Sequence, residues 1–176
     1  AAAATPSQRR PQAAARAAVY AQEVPSGQWK VADASKAEGF FPQILAGYKE
    51  LCQLDKNWEK IVVNREDGDV IRRYLGTVGV KSPLFQINKA FNGVKDAVGN
   101  NPDKYEDTIE VVDFVEASND ALQHIQQADF LAYSQNFANF GNGGGGEDYI
   151  ALSRVQVKEA IASYKDILEA LSLGSN

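Results

Sequence analysis

The chemically versatile residues of this 176-residue chain are few and scattered. His124 is the only histidine and Cys52 the only cysteine. A Ser-His-Asp or Cys-His set around them would need a nucleophile elbow or a flanking motif, and none appears; His124 falls midway along a predicted helix beside Gln123 and Gln126, and is expected to be structural or at the surface. A zinc site of the usual kind needs several His and Cys ligands, more than one of each. Glu66, Asp67, Gly68 and Asp69 crowd carboxylates around a glycine, an oxygen-rich set that hard cations use, but the closing glutamate of an EF-hand loop is not in register, so a solvated interhelical turn is expected. Gly143 to Gly146 is neither preceded by a strand nor followed by Lys-Ser or Lys-Thr, which makes it a linker rather than a phosphate cradle. No catalytic, cofactor or metal site is expected. What remains is arginine. Arg72 and Arg73 are adjacent in a predicted helix and point about 100° apart, so at least one should project outward. With Arg9, Arg10 and Arg16 of the N-terminal stretch they form the candidate partner-binding set.

The elements that carry these residues read as helices. Phe41, Ile44, Leu45, Tyr48, Leu51, Cys52, Trp58, Ile61 and Val62 follow an i, i+3, i+4, i+7 rhythm with Pro42 in the first turn, which predicts one helix over about residues 40 to 64 with Cys52 and Trp58 in the core. A second stripe, Val70, Ile71, Tyr74, Leu75 and Val78, is predicted to end at Gly79. Ser82-Pro83 reads as an N-cap and first helical position, and Leu84, Ile87, Phe91, Val94 and Val98 continue to Gly99. Asn101-Pro102-Asp103 opens the longest helix, carried by Tyr105, Ile109, Val112, Val115, Leu122, Ile125 and Leu131 to about Phe137. After the glycine run, Tyr149, Leu152, Val155, Ile161, Tyr164, Leu168 and Leu171 predict a final helix that stops at Gly174. The Tyr and Phe residues recur at helical spacing and are assigned mostly to the core. Four amphipathic arms with one apolar stripe each can bury it only against one another, so the expected fold is all-α: an up-down-up-down four-helix bundle over residues 36–176, preceded by an extended basic N-terminal arm over residues 1–35. Trp29 is placed to pin the arm, and a short helix is expected at Ala13 to Ala21.

Charge narrows the partners. The net charge is −5, but residues 1–30 hold Arg9, Arg10, Arg16 and Lys30 against Glu23, a balance of +3 that leaves −8 for the rest. An acidic body is a poor nucleic-acid binder, whereas a basic arm suits an acidic protein surface. No apolar run is long enough to cross a bilayer, and a monomer without cofactor is expected. The Arg9-Arg10 pair lacks the uninterrupted apolar region of a twin-arginine signal, and Ala1 to Ala4 suit a mature end.

The segment Val70 to Val78, VIRRYLGTV, together with LQHIQQADFLAYSQ and DYIALSRVQVKEAIASYKDILEAL, resembles the PsbQ-like extrinsic subunits of photosystem II over residues 40 to 173. The NFGNGGGG insertion departs from plant-type members and suggests an algal relative, of diatom type. The resemblance implies a peripheral, non-catalytic subunit in the chloroplast thylakoid lumen that docks on photosystem II core subunits and other extrinsic proteins. There it would help the manganese-calcium cluster retain calcium and chloride without ligating metal. The alternatives are a helical assembly factor of a membrane complex and a ligand- or metal-carrying bundle. The last needs inward Glu-x-x-His pairs or axial His and Met ligands, and this chain has no methionine.

Overall fold

Asn57 divides what the apolar rhythm reads as one helix. The computed structural model describes residues 29, 31–63, 67–138 and 148–174; there, a 3-10 turn at Ala37–Phe40 leads into α1, Phe41–Lys56, which begins on Pro42 and buries Phe41, Ile44, Leu45, Tyr48, Leu51 and Leu54. At Asn57 the side-chain amide and the backbone N–H both donate to the Gln53 carbonyl, at 3.1 and 3.0 Å. A short polar side chain competing for the backbone in this way loosens the ladder, and Trp58 starts a separate turn, α2, Trp58–Ile61. The single helix over 40 to 64 is therefore corrected to two pieces.

The following boundaries also move. In α3, Gly68–Tyr74, the terminator is Gly76 and not Gly79. Gly76 has φ 74°, its N–H reaches the Arg73 carbonyl at 3.3 Å, and Thr77 N–H reaches the Arg72 carbonyl at 3.1 Å. That paired closure is a Schellman motif, which needs the left-handed backbone glycine adopts without strain. Ser82 does not cap a helix at Pro83: its hydroxyl donates to the Tyr74 carbonyl at 2.6 Å and accepts from Leu84 N–H at 3.1 Å, tying the loop back to α3. Helix α4 starts later, spanning Ile87–Asn100. The turn α5, Pro102–Tyr105, is separate from the longest helix α6, Val111–Ala138, and α7 covers Tyr149–Ala170 with the Asp148 carboxylate accepting from Ala151 N–H at 3.1 Å.

Helices α6 and α7 run antiparallel in one register along their length. Glu110 N–H meets the Ala170 carbonyl at 2.9 Å, His124 Nδ1 meets Gln156 Oε1 at 2.8 Å, and Ser153 Oγ donates to the Ala128 carbonyl at 2.8 Å. Small residues recur along the seam among larger ones: α6 buries Ala117, Ser118, Ala121, Ala128 and Ala132 with Phe114 and Ile125, and α7 buries Ser153 and Ala160 with Ile150, Val157, Tyr164, Ile167 and Leu168. Val112, Leu152 and Val155, expected on the core stripes, are exposed; the closest approach of two helices favours alanine and serine over larger side chains, which rotates the predicted faces. Helix α1 lies antiparallel to α7, with Tyr48 against Tyr164 (ring centroids 6.2 Å apart) and Asp55 against Arg154 (3.0 Å). It also lies antiparallel to α4, with the Phe40 ring on Gly93 and Gln43 Nε2 donating to the Phe85 carbonyl at 3.1 Å. Among the described residues there is no strand, and no helix is long and apolar enough to cross a membrane.

The entry to α1 is held by a polar knot. The Tyr105 hydroxyl donates to Glu38 Oε2 at 2.8 Å and accepts from Ala37 N–H at 3.0 Å, while Lys104 Nζ lies 3.3 Å from the same carboxylate. Burial pushes the Glu38 carboxyl up, but the Glu38 backbone N–H, the Tyr105 hydroxyl and Lys104 together outweigh it and hold the pKa below the ordinary glutamate value. The unfolded state therefore takes up this proton first on acidification. The knot stabilises the fold above the unfolded pKa, and that contribution is lost as pH falls through the folded one. Glu50, which burial pushes up, acts in the opposite sense. Glu38→Gln is expected to make the loss of unfolding midpoint on the acid side shallower than in the parent. Thermal melts across the acid range provide the measurement, and an unchanged slope would show that the knot carries no linkage.

Candidate functional site

Gly68 sits against the carbonyl of Ala132, so close that a Cβ there would collide with α6 backbone. This approach lays α3 on α6 and sets Arg72 over it. Arg72 Nε donates to Asp129 Oδ1 at 2.8 Å and Nη1 to Asp69 Oδ1 at 3.2 Å. The Thr77 hydroxyl is within hydrogen-bond reach of the same Asp129 oxygen. Partial burial works to lower the Arg72 pKa, and the bonds to Asp129 and Asp69 outweigh it and raise the value. The guanidinium is thus a permanent, positioned charge.

Its carbon lies 4.8 Å from the centroid of the Tyr133 ring, within the range of a cation–π contact. Tyr133 in turn meets Phe137 edge to face, with centroids 5.0 Å apart and planes at 67°. Phe130, one turn before Tyr133, is 67% exposed, Tyr133 43% and Phe137 56%. At i, i+3 and i+7 these rings share one side of α6. They form an aromatic ridge against water, flanked by Arg72, with Arg73 exposed on the outer side of α3.

Of the candidate residues, Arg73 projects outward as the spacing predicts, and Arg72 is held in an ion-paired seat. Arg9, Arg10 and Arg16 lie outside the described residues, as do Glu66 and Gly143 to Gly146. The remaining acidic turn is engaged locally, Asp67 accepting from Val63 N–H at 2.9 Å and Asp69 pairing with Arg72. Assigning the aromatics to the core is correct for Phe41, Phe91, Phe114, Tyr105 and Tyr164, but needs correcting for Phe130, Tyr133 and Phe137. The signal that could have found them is their offset from the Ala121, Ile125, Ala128, Ala132 stripe, which leaves them on the opposite side of the helical wheel.

Two other polar sites are structural. Arg154 reaches Asp55 at 3.0 Å and Glu59 at 2.7 Å and lies 5.5 Å over the Trp58 ring, clamping α1 and α2 to α7. Cys52 is half-buried at the edge of the core, a correction to its expected burial, on a groove of about 210 Å³ that Tyr48, Lys49, Gln53 and Lys56 also line. Burial and the neighbouring thiol push the Tyr48 phenol up to about 12. Among the described residues no group of three or more His, Cys, Asp and Glu side chains could hold a metal. No family model, no curated protein and no solved structure matches this chain.

Proposed function

We propose that this chain is a non-catalytic extrinsic subunit of photosystem II. It docks from the thylakoid lumen on core and extrinsic subunits and helps the manganese-calcium cluster retain calcium and chloride. The architecture that goes with this reading is an up-down-up-down four-helix bundle of α1, α4, α6 and α7 with an N-terminal arm, and the antiparallel contacts of α1 with α4 and α7, and of α6 with α7, support it. The observation that carries the docking role is the exposed aromatic ridge of Phe130, Tyr133 and Phe137 beside Arg72 and Arg73. Aromatic side chains and arginine are the residues enriched where protein interfaces hold most of their energy. The basic residues Arg9, Arg10 and Arg16 add an electrostatic contact with an acidic partner surface.

The test is rebinding to salt-washed photosystem II membranes, scored by bound protein and by oxygen evolution without added calcium and chloride. Exposed charges further apart than about 8–10 Å are screened at physiological salt, so binding should weaken as sodium chloride rises. Replacing Arg9, Arg10 and Arg16 by Gln should weaken binding at low salt and flatten the salt response. Failure to rebind or to restore oxygen evolution would overturn the proposal. Absence from purified, oxygen-evolving complexes would favour an assembly factor instead.

A further inference from the structure

We infer that Asn92 and Gly93, midway along α4, form a self-deamidating site that the fold holds inactive and that opening of α4 releases. An asparagine followed by glycine is the pair most prone to this reaction, because no Cβ on the second residue hinders approach to its nitrogen. The backbone nitrogen of Gly93 attacks the side-chain carbonyl carbon of Asn92. The carboxamide C–N bond breaks, and its NH2 leaves as ammonia with the Gly93 N–H proton. Water then opens the resulting succinimide at either carbonyl, giving aspartate or an isoaspartyl linkage in which the main chain runs through Cβ. Water is the only co-reactant, and the chemistry is independent of any partner.

Asn92 is exposed, so water reaches its amide, yet both residues lie inside Ile87–Asn100. There the helix commits the Gly93 N–H to the Lys89 carbonyl four residues back, and the helical ψ of about −42° keeps the Gly93 nitrogen out of line with the Asn92 side chain. Ile87, Ala90, Phe91, Val94, Ala97 and Val98 bury one face of α4 in the core, so the reactive geometry is reached only by opening against that packing. The glycine is held by a tertiary contact. A helix interior disfavours glycine, but a Cβ at Gly93 would overlap the ring of Phe40, which is buried at the entry to α1. Once isoaspartate forms, the extra main-chain carbon sets Val94, Ala97 and Val98 out of register with the residues before them, and α4 cannot close on the same packing.

The full chain is incubated at neutral pH in native buffer and in urea, then digested with trypsin. The peptide Ala90–Lys95 carries Asn92 apart from the other Asn-Gly pair, Asn142–Gly143, and is followed for the mass gain of amide-to-acid conversion. Conversion in native buffer should be slower than in urea by about a hundredfold or more, in proportion to the open population. Val94→Ala, which loosens α4 at a fully buried site, should raise the native rate about tenfold and leave the urea rate unchanged. The parent in urea below its unfolding midpoint should accelerate likewise without any substitution. Asn92→Gln should abolish the mass gain throughout. Returned to native buffer, isoaspartyl chains should melt below the parent. Asn92→Asp should not, because Lys89 and Lys95, three residues to either side, offset Asp96 four residues on. Equal rates in native buffer and urea, a native rate that ignores sub-denaturing urea, conversion in urea confined to Asn142, or isoaspartyl chains that regain the parent midpoint would each overturn the inference.

Discussion

Trp58→Ala should lower the unfolding midpoint sharply, at a cost of about 3–5 kcal/mol. Trp58 is 5% exposed and leads α2, a turn of four residues that has no stability of its own. The ring holds that turn to the core, and Arg154 lies over it while bonding Asp55 and Glu59 on either side. Removing the ring leaves a void at the junction of α1, α2 and α7 and strips the stacking surface from Arg154. Trp58→Phe, which keeps most of the apolar volume, should recover at least half of the loss. Urea and thermal melts followed by circular dichroism test both, and a Trp58→Ala midpoint equal to the parent would place the ring outside the core.

The second large effect is a pair. Tyr164 is fully buried, its hydroxyl has no hydrogen-bond partner among the described residues, and burial raises its pKa far above the ordinary phenol value. An orphaned buried hydroxyl costs about 1–3 kcal/mol. Tyr164→Phe, which keeps the ring against Tyr48 and Phe91, should therefore be neutral or stabilise by about 1 kcal/mol. The hydroxyl fits because α1 has a glycine opposite: a Cβ on Gly47 would lie 2.5 Å from the Tyr164 oxygen and 2.9 Å from Leu84 Cδ2. In a helix interior Gly→Ala normally gains up to about 1 kcal/mol. Here overpacking, typically about 1–3 kcal/mol, should reverse the sign because the neighbours are immobile core groups. With Tyr164→Phe in place the closest obstacle is gone while Leu84 Cδ2 remains, so Gly47→Ala should cost less than in the parent, a coupling of about 1 kcal/mol between contacting residues. Additive midpoints would show that Tyr164 and Gly47 do not share this space.

Much of the helical content was legible because apolar residues at helical spacing have no other way to leave water together. The stripe of Leu84, just before α4, and Ile87, Phe91, Val94 and Val98 within it is buried as read, and so is Trp58. The boundaries were less legible. Asn57 stops a helix through a bond to Gln53, and Gly76 rather than Gly79 closes α3 because it is the glycine placed to pair Thr77 with Arg72. Both depend on where a single donor finds its acceptor, which the apolar rhythm does not encode.

The exposed aromatic face of α6 divides in the same way. Residue types by themselves determined that the chain would be helical and that one of Arg72 and Arg73 would face outward. Only tertiary structure decided that Ala121, Ala128 and Ala132 would form the seam with α7, turning Phe130, Tyr133 and Phe137 toward water, and that Gly68 would bring Arg72 onto Tyr133 and Asp129. The physical reason is that a side chain's hydrophobicity says it gains by leaving water, while the distance at which two backbones can meet says which side chains get to leave. Along α6 the small residues allow the closer approach, so the larger aromatic face is the one left uncovered.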